Sequence, residues 1–185
     1  MGVPIKKMSL DAYLAWENAQ SEKNEFFQGE VFAMVGARRV HGLVAGNVFA
    51  ALKAQLKGSP CQVFVEGMKV QANATSVFYP DVFVTCDAAD LATDYLFKAP
   101  SVVVVVLSVS TQAFDRGLKF AAYRQIAALK EYVLMDPDTR VVEVYRRGAD
   151  GLFTLNDFTG LALLRLVSID CELTAAEVFE GVDGP

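Results

Sequence analysis

The run Ser101-Val102-Val103-Val104-Val105-Val106-Leu107 constrains this chain more than any other segment. Five consecutive β-branched residues are stiff at χ1 and pack well on a pleated surface, so the run reads as a strand. Side chains of a strand alternate between its two faces. A strand that is apolar at every position must therefore be covered on both faces, which places it at the centre of a sheet. Residues 78–86 read as a second buried strand, one that carries Tyr79-Pro80-Asp81. A chain built round two such strands is expected to be an α/β domain.

The flanking segments fit that frame. Ser9 is an expected N-cap with Asp11 in the first turn, and Leu10, Tyr13 and Leu14 make a short amphipathic helix with Trp16 near its end. Residues 25–35 read as a hairpin turning at Gln28-Gly29. Val40, Leu43, Val44, Val48, Leu52 and Leu56 recur at three and four, one stripe of a longer helix that Gly58-Ser59-Pro60 stops. Residues 61–71 read as a strand with polar interruptions, 73–76 as a turn and 87–94 as a polar loop. A helix capped by residues 108–111 is expected to bury Phe114, Leu118, Ala121, Ala122 and Gln125. Two strands, 131–135 and 141–147, flank the turn Asp136-Pro137-Asp138. A last hairpin over 151–164, a closing helix over 173–179 and a frayed tail over 181–185 complete the reading. No repeat or linker interrupts it, so residues 1–185 are expected to form a single domain.

Several classes are not expected, on simple grounds. No apolar run approaches the ~20 residues of a membrane helix, and the N-terminus lacks the basic-then-apolar order of a signal peptide. The Met1-Gly2 start has Lys6 where myristoylation needs Ser or Thr. Cys61, Cys86 and Cys171 are far apart and odd in number, and His41 is the single histidine. A zinc site or a disulfide framework is not expected, and reduced thiols in a cytoplasmic setting are. The net charge of −5 argues against strong non-specific binding to nucleic acid. It leaves room for local contacts at Arg38-Arg39, at Arg116 with Lys119 and Arg124, and at Arg146-Arg147.

Asp81 is the first candidate for chemistry. A carboxylate inside an apolar strand is costly unless it is paired, hydrogen-bonded or metal-bound. The preceding Pro80 marks a place where strand pairing is disturbed. A Mg²⁺ ligand and a strand-start aspartate bonding local amides are both open readings. Lys119 follows Asp115 by four residues, which suits either a catalytic lysine or a helical ion pair worth ~0.2–0.5 kcal/mol. Glu30 is a metal ligand or an exposed strand residue. His41 is a phosphate contact, a base or a surface histidine. Lys69 lies one strand before Asp81, with its direction open.

Taken together, the segments 106–111, 115–124 and 131–136 resemble the Uma2 family, formerly a domain of unknown function and placed in the restriction-endonuclease-like PD-(D/E)xK superfamily. Met8-Ser9-Leu10-Asp11-Ala12-Tyr13-Leu14 is similar to that family's opening helix, Asn24-Glu25-Phe26-Phe27-Gln28-Gly29-Glu30-Val31 to its first hairpin, and Phe78-Tyr79-Pro80-Asp81 to its PD strand. The resemblance spans roughly residues 8–180. It implies a restriction-endonuclease-like mixed sheet flanked by helices, and Mg²⁺-dependent hydrolysis of DNA by a possible homodimer. In that chemistry two carboxylates on neighbouring strands hold the metal through oxygen ligands, and a lysine orients water or stabilises charge. The resemblance assigns the first carboxylate to Asp81, the lysine to Lys119 and a further acidic ligand to Glu30, with Arg38, His41 and Arg116 as nucleic-acid contacts. It assigns the second carboxylate to position 105, where this chain has valine. Leu107 stands where lysine is frequent in the superfamily, and Val109 replaces the family's usual proline. Three functions follow as alternatives: a nuclease that uses Asp81, Glu30 and a substitute carboxylate; a degenerate member that binds nucleic acid without cutting; and a partner-binding or homodimeric module that kept the fold.

Overall fold

The computed structural model describes residues 3–34, 36–160 and 162–182. In chain order the strands are β1 (Lys6–Lys7), β2 (Asn24–Phe27), β3 (Glu30–Ala33), β4 (Gln62–Val65), β5 (Lys69–Asn73), β6 (Ser76–Phe78), β7 (Val82–Thr85), β8 (Leu96–Phe97), β9 (Pro100–Val106), β10 (Glu131–Met135), β11 (Val142–Arg147), β12 (Phe153–Asp157), β13 (Leu163–Leu166) and β14 (Cys171–Thr174). The helices are α1 (Leu10–Glu17), α2 (Arg39–Gln55), α3 (Gln112–Phe114), α4 (Phe120–Tyr123) and α5 (Ala175–Val178), and a π-helical turn at Asp115–Lys119 joins α3 to α4. One mixed sheet has the order β1-β3-β2-β6-β5-β8 and the other β12-β11-β10-β9-β7-β4. Strands β13 and β14 pair with each other.

The valine run is the interior strand its composition demands. It pairs antiparallel with β7 and parallel with β10. Val102, Val104 and Val106 pack in one core with Val44, Val48 and Leu52 of α2. Val103 and Val105, joined by Leu107, face the other core with Phe78, Tyr123 and Leu134. Each buried valine contributes roughly 1.5–3 kcal/mol of transfer free energy, an upper estimate. A third, smaller core beneath α1 holds Tyr13, Phe26, Val31 and Val77.

Proline 80 marks a change of sheet. The segment expected as one strand over 78–86 is two: β6 ends at Phe78 in the first sheet and β7 begins at Val82 in the second. The segment expected over 61–71 likewise divides, at Glu66 and Gly67, both at positive φ (43° and 76°). The two crossings touch, since the Glu66 amide donates to the Asp81 carbonyl at 2.9 Å. Asp81 therefore stands at the seam between the sheets.

Other expectations change with the topology. The hairpin over 24–33 turns at Gln28 and Gly29, both at positive φ, as a tight two-residue connection requires. Val35, the expected end of that hairpin, lies outside the described residues. Residues 151–164 are not a hairpin: β12 pairs with β11, and β13 with β14. The helix after residue 111 ends at Tyr123, and its buried face is shifted by one residue. Leu118 is 55% exposed and Gln125 is exposed, whereas Asp115, Lys119, Ala122 and Tyr123 are buried. A π-turn inserts the extra residue that rotates the following face. The expected closing helix begins as strand β14 and becomes helical at Ala175, where Thr174 and Glu177 form a capping box. Of the frayed tail, 183–185 lie outside the described residues.

The expectation of reduced thiols also fails for two cysteines. Cys61 and Cys86 form a disulfide, with Cα atoms 4.0 Å apart. Antiparallel pairing of β4 with β7 puts Gln62 opposite Thr85, so the cysteines one residue beyond face each other despite their distance in sequence. Cys171 is free and buried. Among the described residues no helix is long and apolar enough to cross a membrane.

Candidate active site

Asp81 is held by both carboxylate oxygens. Oδ2 accepts the Val106 amide at 2.7 Å, and Oδ1 lies 2.8 Å from Nε2 of His41 in the first turns of α2. Burial lowers the proton affinity of His41, but the hydrogen bond and charge of Asp81, with Glu66 and Asp115, outweigh it and hold its pKa above the ordinary value. One residue beyond the Val82–Val104 pair, the register places Val105 beside Asp81. Val105 is 3% exposed and packs in the aromatic core.

The second half of the cluster comes from β2 and the π-turn. Glu25 stands opposite Phe78, one residue beyond the Phe26–Val77 pair. Lys119 reaches Glu25 Oε1 at 2.7 Å and Asp115 Oδ1 at 3.7 Å, and its ammonium sits over the Phe78 ring at 5.2 Å. The Tyr79 amide also donates to Glu25 Oε1, at 3.4 Å. Burial pulls the Lys119 ammonium down, yet Glu25, Asp115 and Asp81 more than compensate and hold its pKa above the ordinary lysine value. Asp115 and Lys119, four residues apart, turn inward together. Tyr123, one turn beyond Lys119, is fully buried against Phe78 and Tyr132, and its hydroxyl has no hydrogen-bond partner among the described residues.

The structure thus brings Asp81, Lys119 and His41 of the sequence candidates to one place and adds Glu25, Asp115 and Tyr123. Glu30 is elsewhere. It sits beside the hairpin turn and pairs with Lys7 of the edge strand β1 at 3.2 Å. Arg38 is exposed and bound to Asp138 by both guanidinium nitrogens, at 2.6 and 3.0 Å. Arg116 is tied to Glu143 at 2.8 Å and to Gln112 at 3.0 Å. Neither arginine is drawn into the Asp81 cluster. Lys69 is buried on β5 and bonds Asn18 at the end of α1, a contact that serves the fold.

The donor set does not fit the Mg²⁺ that the resemblance implies. Mg²⁺ needs one or two available carboxylates in near-octahedral arrangement. Both oxygens of Asp81 are engaged, Glu25 neutralises Lys119, and position 105 offers a methyl surface. Among the described residues no three His, Cys, Asp or Glu side chains converge as a metal site.

Two mixed sheets flanked by helices, with a carboxylate–lysine cluster at the seam between them, make up an α/β fold. The structure of "a putative nuclease belonging to DUF820" from Anabaena variabilis superposes with a TM-score of 0.77 over 93% of this chain and 97% of its own, at 16% identity, a likeness of fold. The Uma2 family profile, described as "Putative restriction endonuclease", matches residues 10–176. Two uncharacterized proteins of Synechocystis sp. PCC 6803 are similar throughout. The protein slr1290 is 32% identical over 97% of this chain and 95% of its own, and sll1609 is 32% identical over 84% and 89%. The chain belongs to the Uma2 family.

Proposed function

We propose that this chain is a degenerate endonuclease-type domain that engages nucleic-acid phosphates at the Asp81–Lys119 centre and cleaves DNA weakly or not at all. The observation that carries this reading is Val105, one residue beyond the Val82–Val104 pair and thus beside Asp81, packed as core where the resemblance assigns a carboxylate. Glu25, Asp81 and Lys119 retain the rest of a phosphodiester-hydrolysing constellation. The lysine would meet phosphate oxygens, and Asp81 would orient His41 beside them. Lys119 is neutralised by Glu25 and Asp115, and that, together with the net charge of −5, makes for modest affinity that falls as salt rises.

Restoring the carboxylate tests the reading. Calorimetric Mg²⁺ titration is expected to give little heat with the unaltered protein and a measurable one-site isotherm with Val105→Glu, the added charge costing stability in the absence of metal. Tight Mg²⁺ binding by the unaltered protein, lost in Asp81→Ala, would overturn it.

A further inference from the structure

Next to this cluster lies a cleft of about 280 Å³. Its floor is the pair Phe27 and Ser76, which stand opposite each other on β2 and β6. The pairs on these strands share a face with their neighbours two residues on, so Ser76 and Phe27 face the same way as Phe78 and Glu25. That is the side on which Lys119 and α4 sit. Leu118, Ala121, Ala122 and Gln125 wall the cleft, spaced three, four and seven residues along one helical face.

The lining carries no charged side chain. What it does carry is unspent neutral hydrogen bonding. Ser76 is 1% exposed and its hydroxyl has no partner among the described residues. The Gln28 amide is uncommitted among the described residues. Asn73 accepts from Thr75 through Oδ1 and Gln125 donates to the Ala121 carbonyl, which among the described residues leaves the Asn73 amide NH₂ and the Gln125 Oε1 without a partner. An unpaired buried hydroxyl costs about 1–3 kcal/mol, so it marks a place where a partner belongs. The Phe27 ring packs against Phe78 and Phe114 and supplies an apolar surface beside these groups. Donors and acceptors without charge, set beside an aromatic ring, suit a planar neutral heterocycle rather than a phosphate or a peptide carboxylate.

Position decides which heterocycle. The Ser76–Phe27 pair is one two-residue step, roughly 7 Å along the strand, from the Phe78–Glu25 pair beneath Lys119. A nucleotide whose phosphate lay at Lys119 would have its base within reach of the cleft. We propose that the cleft is a subsite for one unstacked nucleobase, read through its hydrogen-bonding edge by Ser76, Gln28, Asn73 and Gln125. The base subsite rests on the nuclease-type reading for its phosphate partner, but the two are separable by experiment.

The test is amide chemical-shift mapping of the full chain with four deoxynucleosides, with 2-deoxyribose 5-phosphate, and with N-acetyl-asparagine amide as a peptide-like control. At least one deoxynucleoside is expected to shift the amides of Gln28, residues 73–76 and Gln125. The deoxyribose phosphate should instead shift residues near Lys119. Ser76→Ala and Gln125→Ala are each expected to weaken nucleoside binding about fivefold to tenfold, and Ala121→Leu, which fills the cleft, should abolish the shifts. Thermal melts identify any variant that fails to fold, and the remaining variants then decide. Absence of nucleoside shifts in the cleft, shifts that persist in Ala121→Leu, or an equal response to the asparagine amide would each overturn the proposal. Nucleoside binding without a phosphate response at Lys119 would leave the base subsite standing and remove the phosphate-binding reading.

Discussion

Replacing Lys119 with methionine should destabilise the fold more than most surface changes could. The lysine is 8% exposed, and its two partners, Glu25 and Asp115, have side chains only 13% and 3% exposed. Methionine fills much the same volume but leaves both carboxylates without their counter-ion, beside Asp81. Removing one partner of a buried pair costs about 3–5 kcal/mol, since the remaining charge is left uncompensated. For a chain of this size that corresponds to a fall in Tm of roughly 6–20 °C. The assay is urea unfolding by fluorescence and circular dichroism, with Tm by calorimetry, on four proteins: unaltered, Lys119→Met, Glu25→Gln and the double variant. The double variant should recover part of the loss, giving a coupling energy of about 0.5–3 kcal/mol. A loss under about 1 kcal/mol for Lys119→Met, with no coupling to Glu25→Gln, would refute the buried-cluster geometry from which the argument starts.

Two further outcomes follow from the same structure. Reducing the Cys61–Cys86 disulfide, which closes a separation of 25 residues, should lower stability by about 3.5 kcal/mol on the chain-entropy estimate; a melt unchanged by reductant would contradict the bond. The raised pKa of His41 gives its pair with Asp81 full stabilising effect below about pH 6.5, an effect lost as pH rises through the higher native value. His41→Asn should therefore flatten the decline of Tm across neutral pH, and an identical pH profile in both proteins would exclude the pair.

How much of this was legible in the sequence differs from residue to residue. The valines of 102–106 announced a doubly covered strand because no other arrangement hides five consecutive apolar side chains in extended chain. Pro80 signalled disturbed pairing, but that the chain changes sheets there depends on β2 and β9 offering partners on opposite sides, a long-range fact. Asp81 and Lys119 were recognisable from motif context. Glu25 was missed in favour of Glu30. Both lie in one hairpin, and only the pairing of β2 with β6 brings the former opposite Phe78 while the latter stays by the turn. The local sequence carries no mark of this, since Glu25 follows the equally polar Asn24 in β2. The π-turn left no mark either. An ideal helical period put Leu118 inside, and Lys119 takes that place. The Cys61–Cys86 bond was hidden for the same reason as Glu25: it follows from the β4–β7 register and not from spacing.

The central claim, that Val105 leaves this Uma2 domain without an effective cutting site, is tested most directly by supercoiled-plasmid cleavage in Mg²⁺ with the unaltered protein and Asp81→Ala in parallel. Both are expected to leave the plasmid supercoiled, at the level of a buffer control. Robust nicking or linearisation by the unaltered protein that disappears in Asp81→Ala would contradict the claim, because another residue would then have taken over the work of position 105.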